Sequence, residues 1–240
     1  MRQPSTIEVG SIAASLHLIH LGSCYSQRAN PSTEPAMIDR TAHWQSVYTT
    51  KAETAVSWYQ DDPATSLRLI HNAGATPASR VIDIGGGASR LVDALLAMGF
   101  SAVSVLDISA AALAVARSRL GAAAADVAWI AQDVTTWTPT QRYDVWHDRA
   151  AFHFLTEAPD RAAYIERLGA SVVAGGAVII GTFAADGPQT CSGLSVVRYD
   201  AQSLAQTLGP AFTLQESCTE AHHTPWDSVQ QFQFCRFRAN

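Results

Sequence analysis

Lysine is almost absent. Among 240 residues only Lys51 occurs, and the 16 cationic side chains face 21 carboxylates, for a formal net charge of −5. No run of Lys or Arg supplies the basic face that a phosphate backbone requires, so nucleic acid is not an expected partner. The four cysteines, Cys24, Cys191, Cys218 and Cys235, include no C-x-x-C pair, which removes zinc-ribbon spacing and any expected metal. They read as free thiols of a reducing cytoplasm. No apolar run reaches the roughly 18–20 residues of a membrane span, so no membrane role is expected.

What is present divides at about residue 36. Ile12 to Gly22 is mildly apolar and ends in Leu21-Gly22-Ser23-Cys24, which resembles a lipoprotein cleavage site. Only Arg2 stands before it, and Glu8, His17 and His20 interrupt it, which is poor for an export signal. Residues 1–36 are therefore expected to be a disordered leader or an over-extended start. Pro31 to Pro35 form a linker, and the domain begins at Met37.

From Thr41 to Leu69 the pattern predicts two helices around a turn, with Asp62 capping the second and Pro63 in its first turn. These helices make up an N-terminal segment, residues 37–77. A core of residues 78–240 then alternates strands and helices. Strands are expected at Arg80–Ile84, Ala102–Leu106, Val127–Ile130, Asp144–His147 and Ala177–Thr182, with helices at Ser89–Met98, Ser109–Leu120, Asp160–Val173 and Asp200–Leu208. Such alternation implies a parallel sheet with right-handed crossovers. The last two strands, Phe212–Glu216 and Val229–Phe237, have only the polar segment Ser217–Ser228 between them and are expected to pair as an antiparallel hairpin.

Three acids end three successive strands. Asp83 precedes the turn Gly85-Gly86-Gly87, where glycine lets backbone approach a ligand closely. The dinucleotide pattern G-x-G-x-x-G fails, because Arg90 stands at its last position. A carboxylate two residues before the glycines suits an ammonium group rather than a pyrophosphate. Asp107, twenty residues after Gly87, can accept both hydroxyl hydrogens of a ribose, with Ile108 against a base. Asp133-Val134 can read an adenine amino group and ring nitrogen.

This order, Asp-x-Gly-x-Gly followed by an acid after strand 2 and Asp after strand 3, resembles the class I S-adenosylmethionine-dependent methyltransferase family over Thr41 to Phe237. Ser89 stands where many members have a third glycine. The resemblance implies a Rossmann-like α/β fold: a doubly wound, mostly parallel seven-stranded sheet with an antiparallel C-terminal hairpin and an N-terminal helical lid. It implies S-adenosylmethionine as cofactor, held by Asp83, Gly85, Gly86, Gly87, Asp107, Ile108, Asp133 and Val134. From the lid, residues 37–77, Trp44 is expected to pack, while Tyr48 or Trp58-Tyr59 contacts ligand, aromatic faces attracting the sulfonium.

The stretch Tyr143 to Phe152 resembles the segment after strand 4 of the thiopurine/tellurite-type S-methyltransferases and of the small protein-lysine methyltransferases, with His147 inserted and Ala150 in place of glycine. Its position places Asp148 and Arg149 as the acceptor-side catalytic candidates, with His153 nearby. His222, His223 and Trp226 are expected in a substrate-facing hairpin loop, and Asp186 to Gly193 beside the acceptor. Three functions follow: methyl transfer to a small molecule at S, Se, Te, N or O; transfer to protein lysine; or non-catalytic binding of adenosylmethionine or a nucleotide.

Overall fold

The computed structural model describes residues 39–240. The leader and the proposed start at Met37 lie outside the described residues. In chain order the elements are α1 (Arg40–Thr50), α2 (Ala64–Asn72), β1 (Arg80–Ile84), α3 (Leu91–Ala97), β2 (Ala102–Asp107), α4 (Ala110–Leu120), β3 (Val127–Ala131), β4 (Tyr143–Arg149), α5 (Ala158–Ser171), β5 (Val172–Phe183), β6 (Thr190–Cys191), β7 (Leu194–Ser195), α6 (Ala201–Leu208), β8 (Phe212–His223) and β9 (Val229–Ala239).

Seven strands form one sheet in the order β3-β2-β1-β4-β5-β9-β8. β1 to β5 run parallel, and β9 pairs antiparallel with both β5 and β8. This is the doubly wound, Rossmann-like arrangement. The order reverses between β1 and β4, which leaves a crevice beyond their C-terminal ends.

Both faces of the sheet are covered, so its central strands are apolar on both sides. Leu69 and Ile70 of α2, Leu91 and Leu95 of α3 and Leu113 of α4 pack on Val81, Val103, Val145 and Ile179. Tyr164 and Leu168 of α5 with Leu204 and Leu208 of α6 pack on Ile82, Trp146, Val178 and Ile180. Helix ends follow side-chain chemistry. Ser109 caps α4 by accepting from Ala112 N–H at 3.1 Å, and Asp200 forms a capping box with Ser203 at α6.

The structure departs from expectation in four places. Pro63, not Asp62, occupies the cap position of α2, and no side chain caps that helix. The turn expected at Ala174–Gly176 is absorbed into β5 as a register shift between Tyr143↔Val172 and Val145↔Ala177. Residues Ser217–His223 are strand, so the terminal hairpin is longer than its polar sequence indicates. A small hairpin, β6–β7, folds inside the loop after β5. No helix among the described residues is long and apolar enough to cross a membrane.

Candidate active site

The cleft lies over the C-terminal ends of β1, β2 and β4, beneath α1 and the segment that follows it. It holds roughly 850 Å³ of atom-free space, counting its open mouth. Its floor is the turn after β1. The N–H groups of Gly85 and Gly86 both donate to Leu106 O, at 2.7 and 3.3 Å. Gly85 and Gly87 take φ of +65° and +43°, which side-chain-bearing residues rarely adopt. A Cβ on Gly86 would lie 2.5 Å from Asp83 Oδ2, so only glycine keeps that oxygen open.

Each of the three strand-end acids is held differently. Asp83 Oδ1 meets His147 Nδ1 at 2.7 Å, while Asp83 Oδ2 is buried with no partner. Asp107 Oδ1 accepts from Ser109 N–H at 2.7 Å. Burial pushes the Asp107 carboxyl up to about 7, Asp83 adds to the rise, and the N–H groups of Ser109 and Gly87 oppose it. Asp133 is more fully engaged. Its Oδ1 accepts from Thr135 N–H at 2.8 Å and Thr135 Oγ1–H at 2.7 Å, and its Oδ2 meets Arg40 at 3.1 Å. Arg40 also reaches Asp160 at 3.0 Å, so it ties α1 to β3 and α5 across the cleft. Ile108 and Val134 line the same end.

Aromatic side chains form the roof. Trp58 Nε1–H donates to Tyr48 Oη at 2.9 Å. Trp44 stands edge-on to Trp58 and to Phe154, with ring centroids 5.5 and 5.0 Å apart. Trp44 thus packs as expected and also lines the cleft together with Tyr48 and Trp58. Tyr59 is not among the lining residues of that main cleft and hydrogen-bonds Asp61.

At the end of β4 the two acceptor-side candidates separate. Strand alternation sends Arg149 into the cleft and Asp148 the other way. Asp148 has no exposed surface. Its carboxylate accepts from the N–H groups of Ala151 and Phe152 and from Tyr164 O–H at 2.7 Å. The expectation that Asp148 faces an acceptor is therefore corrected: its oxygens are consumed by the turn and by α5. Arg149 donates to Trp58 O at 3.0 Å and stacks over the Phe232 ring at 4.5 Å, and its Nε and Nη2 have no hydrogen-bond partner. Glu220 is 3.9 Å away.

His153 is buried against Phe154 and Phe183 and accepts from Phe183 N–H, and burial pushes it down to about 3. His222 is in strand β8, buried and bonded to Ser57 O at 2.8 Å, so the histidines are not a loop pair facing substrate. Of the segment Asp186–Gly193, only Cys191 reaches the main cleft.

Sequence reasoning missed three residues. His147 braces Asp83, Arg40 latches Asp133, and Arg119 of α4 holds the back of the glycine turn through Ala88 O and Ser89 O while pairing with Asp93 and Glu53. Strand alternation from Val145 supplied a signal for His147. The other two act over long sequence separations and leave none.

Comparison with known proteins agrees with this geometry. A family model described as a methyltransferase domain matches residues 81–176, which contain the glycine turn, all three strand-end acids and the end of β4. This stretch is similar to a methyltransferase domain, and the fold is the one shared by class I S-adenosylmethionine-dependent methyltransferases. Among solved methyltransferase structures of the same fold is the N-methyltransferase NodS of Bradyrhizobium japonicum in complex with S-adenosylhomocysteine. It is 19% identical over 84% of this chain and 99% of that one, with a TM-score of 0.64. Another is the 1,6-didemethyltoxoflavin N1-methyltransferase of Burkholderia thailandensis, at 20% identity over 83% and 84% with a TM-score of 0.59. A structure from work on conversion of a disulfide bond into a thioacetal in echinomycin biosynthesis shares 18% identity over 83% and 93%, with a TM-score of 0.66. No functionally curated protein matches the sequence.

The residues of this methyltransferase fit its cofactor. An orphaned, buried carboxylate oxygen on Asp83 suits an ammonium donor. The missing Cβ at Gly86 keeps the way to it clear, and a Cβ at Gly87 would lie 2.8 Å from Asp107 Oδ2, the oxygen that a ribose hydroxyl would meet.

Proposed function

We propose that this methyltransferase acts on a small, largely aromatic or apolar acceptor, and that it works in the cytoplasm. Asp83 takes the cofactor's ammonium and Gly85, Gly86 and Gly87 bring backbone to it. Asp107 takes the ribose hydroxyls, Ile108 and Val134 enclose the adenine with Asp133, and Tyr48 and Trp58 cover the sulfonium. Asp133 shares its carboxylate with Arg40, so the N–H of Val134 is the freer group for the base.

One observation carries the acceptor class. The part of the cleft beyond these groups is walled by Trp44, Trp58, Phe154, Phe183 and Phe232, and the charged side chain entering it is Arg149. A lysine ammonium would meet that guanidinium instead of a carboxylate, which favours a small acceptor over a protein lysine. S-adenosylmethionine supplies an activated methyl on a good, neutral leaving group. The chain's own work is then to align the acceptor and exclude water, and the aromatic walls do both. A soft nucleophile such as a thiolate, selenide or telluride needs no base here. An acceptor that must lose a proton loses it to solvent at the open mouth, because Asp148 is turned away.

Incubation with methyl-labelled S-adenosylmethionine and a panel of aromatic thiols, phenols, N-heterocycles, chalcogen oxyanions and cell lysate tests this reading. Label should appear in a low-mass product. Label confined to protein would instead establish the lysine reading, and no transfer to any acceptor would leave a binding module. Arg149→Met should raise the acceptor's KM by about tenfold, the cost of one charge-assisted hydrogen bond. An unchanged KM would remove Arg149 from acceptor binding.

A further inference from the structure

A chain of three buried polar side chains runs from the helical segment into the cleft. Ser66 of α2, His147 of β4 and Asp83 of β1 are 1%, 2% and 2% exposed. Asp83 and His147 are register partners in the parallel β1–β4 ladder, so their side chains leave the same face of the sheet. Asp83 Oδ1 lies 2.7 Å from His147 Nδ1, and His147 Nε2 lies 2.8 Å from Ser66 Oγ. With Asp83 ionised, Nδ1–H donates to the carboxylate, and Nε2 accepts the Ser66 O–H. The serine thereby selects the tautomer that serves Asp83.

The setting makes these residues costly unless they are used. The surrounding face is apolar, with Val81, Val145 and Leu69 packed beside them, and a buried polar group is tolerated only when paired. Every polar side-chain atom of Ser66, His147 and Asp83 is paired except one, Asp83 Oδ2, which is also the atom that Gly86 leaves uncovered. A serine, histidine and aspartate in a row also serve nucleophilic hydrolysis, but Ser66 on α2 is only 1% exposed and its hydroxyl is engaged with His147 Nε2.

We propose that His147 is a positioning residue for the cofactor. It locks the Asp83 carboxylate so that Oδ2, and only Oδ2, faces the α-ammonium group, and Ser66 in turn holds the imidazole. This rests on the reading that Asp83 binds the amino-acid end of the cofactor. A fixed acceptor binds without first losing rotamer freedom.

The test compares two ligands by calorimetry: S-adenosylhomocysteine, and 5′-methylthioadenosine, which is the same nucleoside thioether without the amino-acid end. Asp83→Asn should weaken adenosylhomocysteine about tenfold or more and leave methylthioadenosine unchanged. His147→Phe should do the same, about tenfold, through a carboxylate free to turn. His147→Asn, whose amide nitrogen takes the place of Nδ1, should restore most of the affinity. If the phenyl ring is not accommodated, His147→Gln keeps a group near Ser66 but none near Asp83, and should weaken adenosylhomocysteine alone. Equal weakening of both ligands, or of neither, in the His147 variants would make His147 purely structural and overturn the proposal, even with Asp83→Asn behaving as expected. Asp83→Asn without effect on the ratio of the two affinities would overturn the reading of Asp83 itself, and the proposal with it.

Discussion

Asp107→Ala should raise the dissociation constant of S-adenosylhomocysteine by about tenfold to a few hundredfold. The carboxylate is expected to accept two hydrogen bonds from ribose, and bonds to a charged group contribute roughly 1.5–3 kcal/mol each. The wild-type affinity should also depend on pH. Before binding, burial holds the Asp107 carboxyl up at about 7, and hydroxyl donors bind its ionised form. Affinity should therefore be full above pH 7 and fall up to tenfold for each pH unit below it. The Ala variant should lack this dependence. Calorimetric titrations of both proteins from pH 5.5 to 8.5 check the two effects together. A pH-independent wild-type affinity, or an Ala variant that binds normally, would take Asp107 out of the ribose site.

The second large effect concerns Asp148, and here stability rather than turnover should respond. Asp148→Ala leaves the N–H groups of Ala151 and Phe152 and the hydroxyl of Tyr164 without their acceptor. Each unsatisfied donor costs about 1–3 kcal/mol. Against that loss stands the cost of the buried charge in the wild type. Burial raises the carboxyl from 3.8 to about 6, which corresponds to about 3 kcal/mol at pH 7. A raised carboxyl contributes stability below its unfolded value and loses it as pH rises through 6. The Ala penalty should therefore be greatest in acid, about 4 kcal/mol near pH 4.5, and shrink to about 2 kcal/mol at pH 8. For a domain this size the acid figure corresponds to a Tm lower by roughly 8–16 °C. Activity per folded molecule should stay normal. A penalty that grows with pH, or lost turnover in a fully stable variant, would return Asp148 to the acceptor site.

The two aspartates, 107 and 148, also show what was legible in the sequence. β1, β2 and β3 are short, largely apolar runs that stop at glycine, at an acid or just before one, so their ends could be read within a residue and the acids placed at the C-terminal ends of the strands. β4 was read as ending at His147. Two further residues of strand change the outcome, because alternation then assigns Val145, His147 and Arg149 to one face and Asp148 to the other. The His147–Asp83 bond depends on register across 64 residues, which alternation within one strand does not supply.

The hairpin was cut short for a different reason. β8 is an edge strand whose outward groups are polar because they face solvent or polar neighbours: Glu216 meets Arg68 and Arg236, and Glu220 meets Gln60. A polar run is then strand without looking apolar. The Arg40–Asp133 latch joins residues 93 apart and leaves no local pattern at all.

The central claim is that the glycine turn and its three acids form an S-adenosylmethionine site rather than a dinucleotide site. The most direct measurement is a calorimetric titration of the wild-type protein with S-adenosylhomocysteine and, separately, with NAD. One-to-one binding of adenosylhomocysteine in the micromolar range, with no heat from NAD, is the predicted result. Binding of NAD with none of adenosylhomocysteine would contradict it.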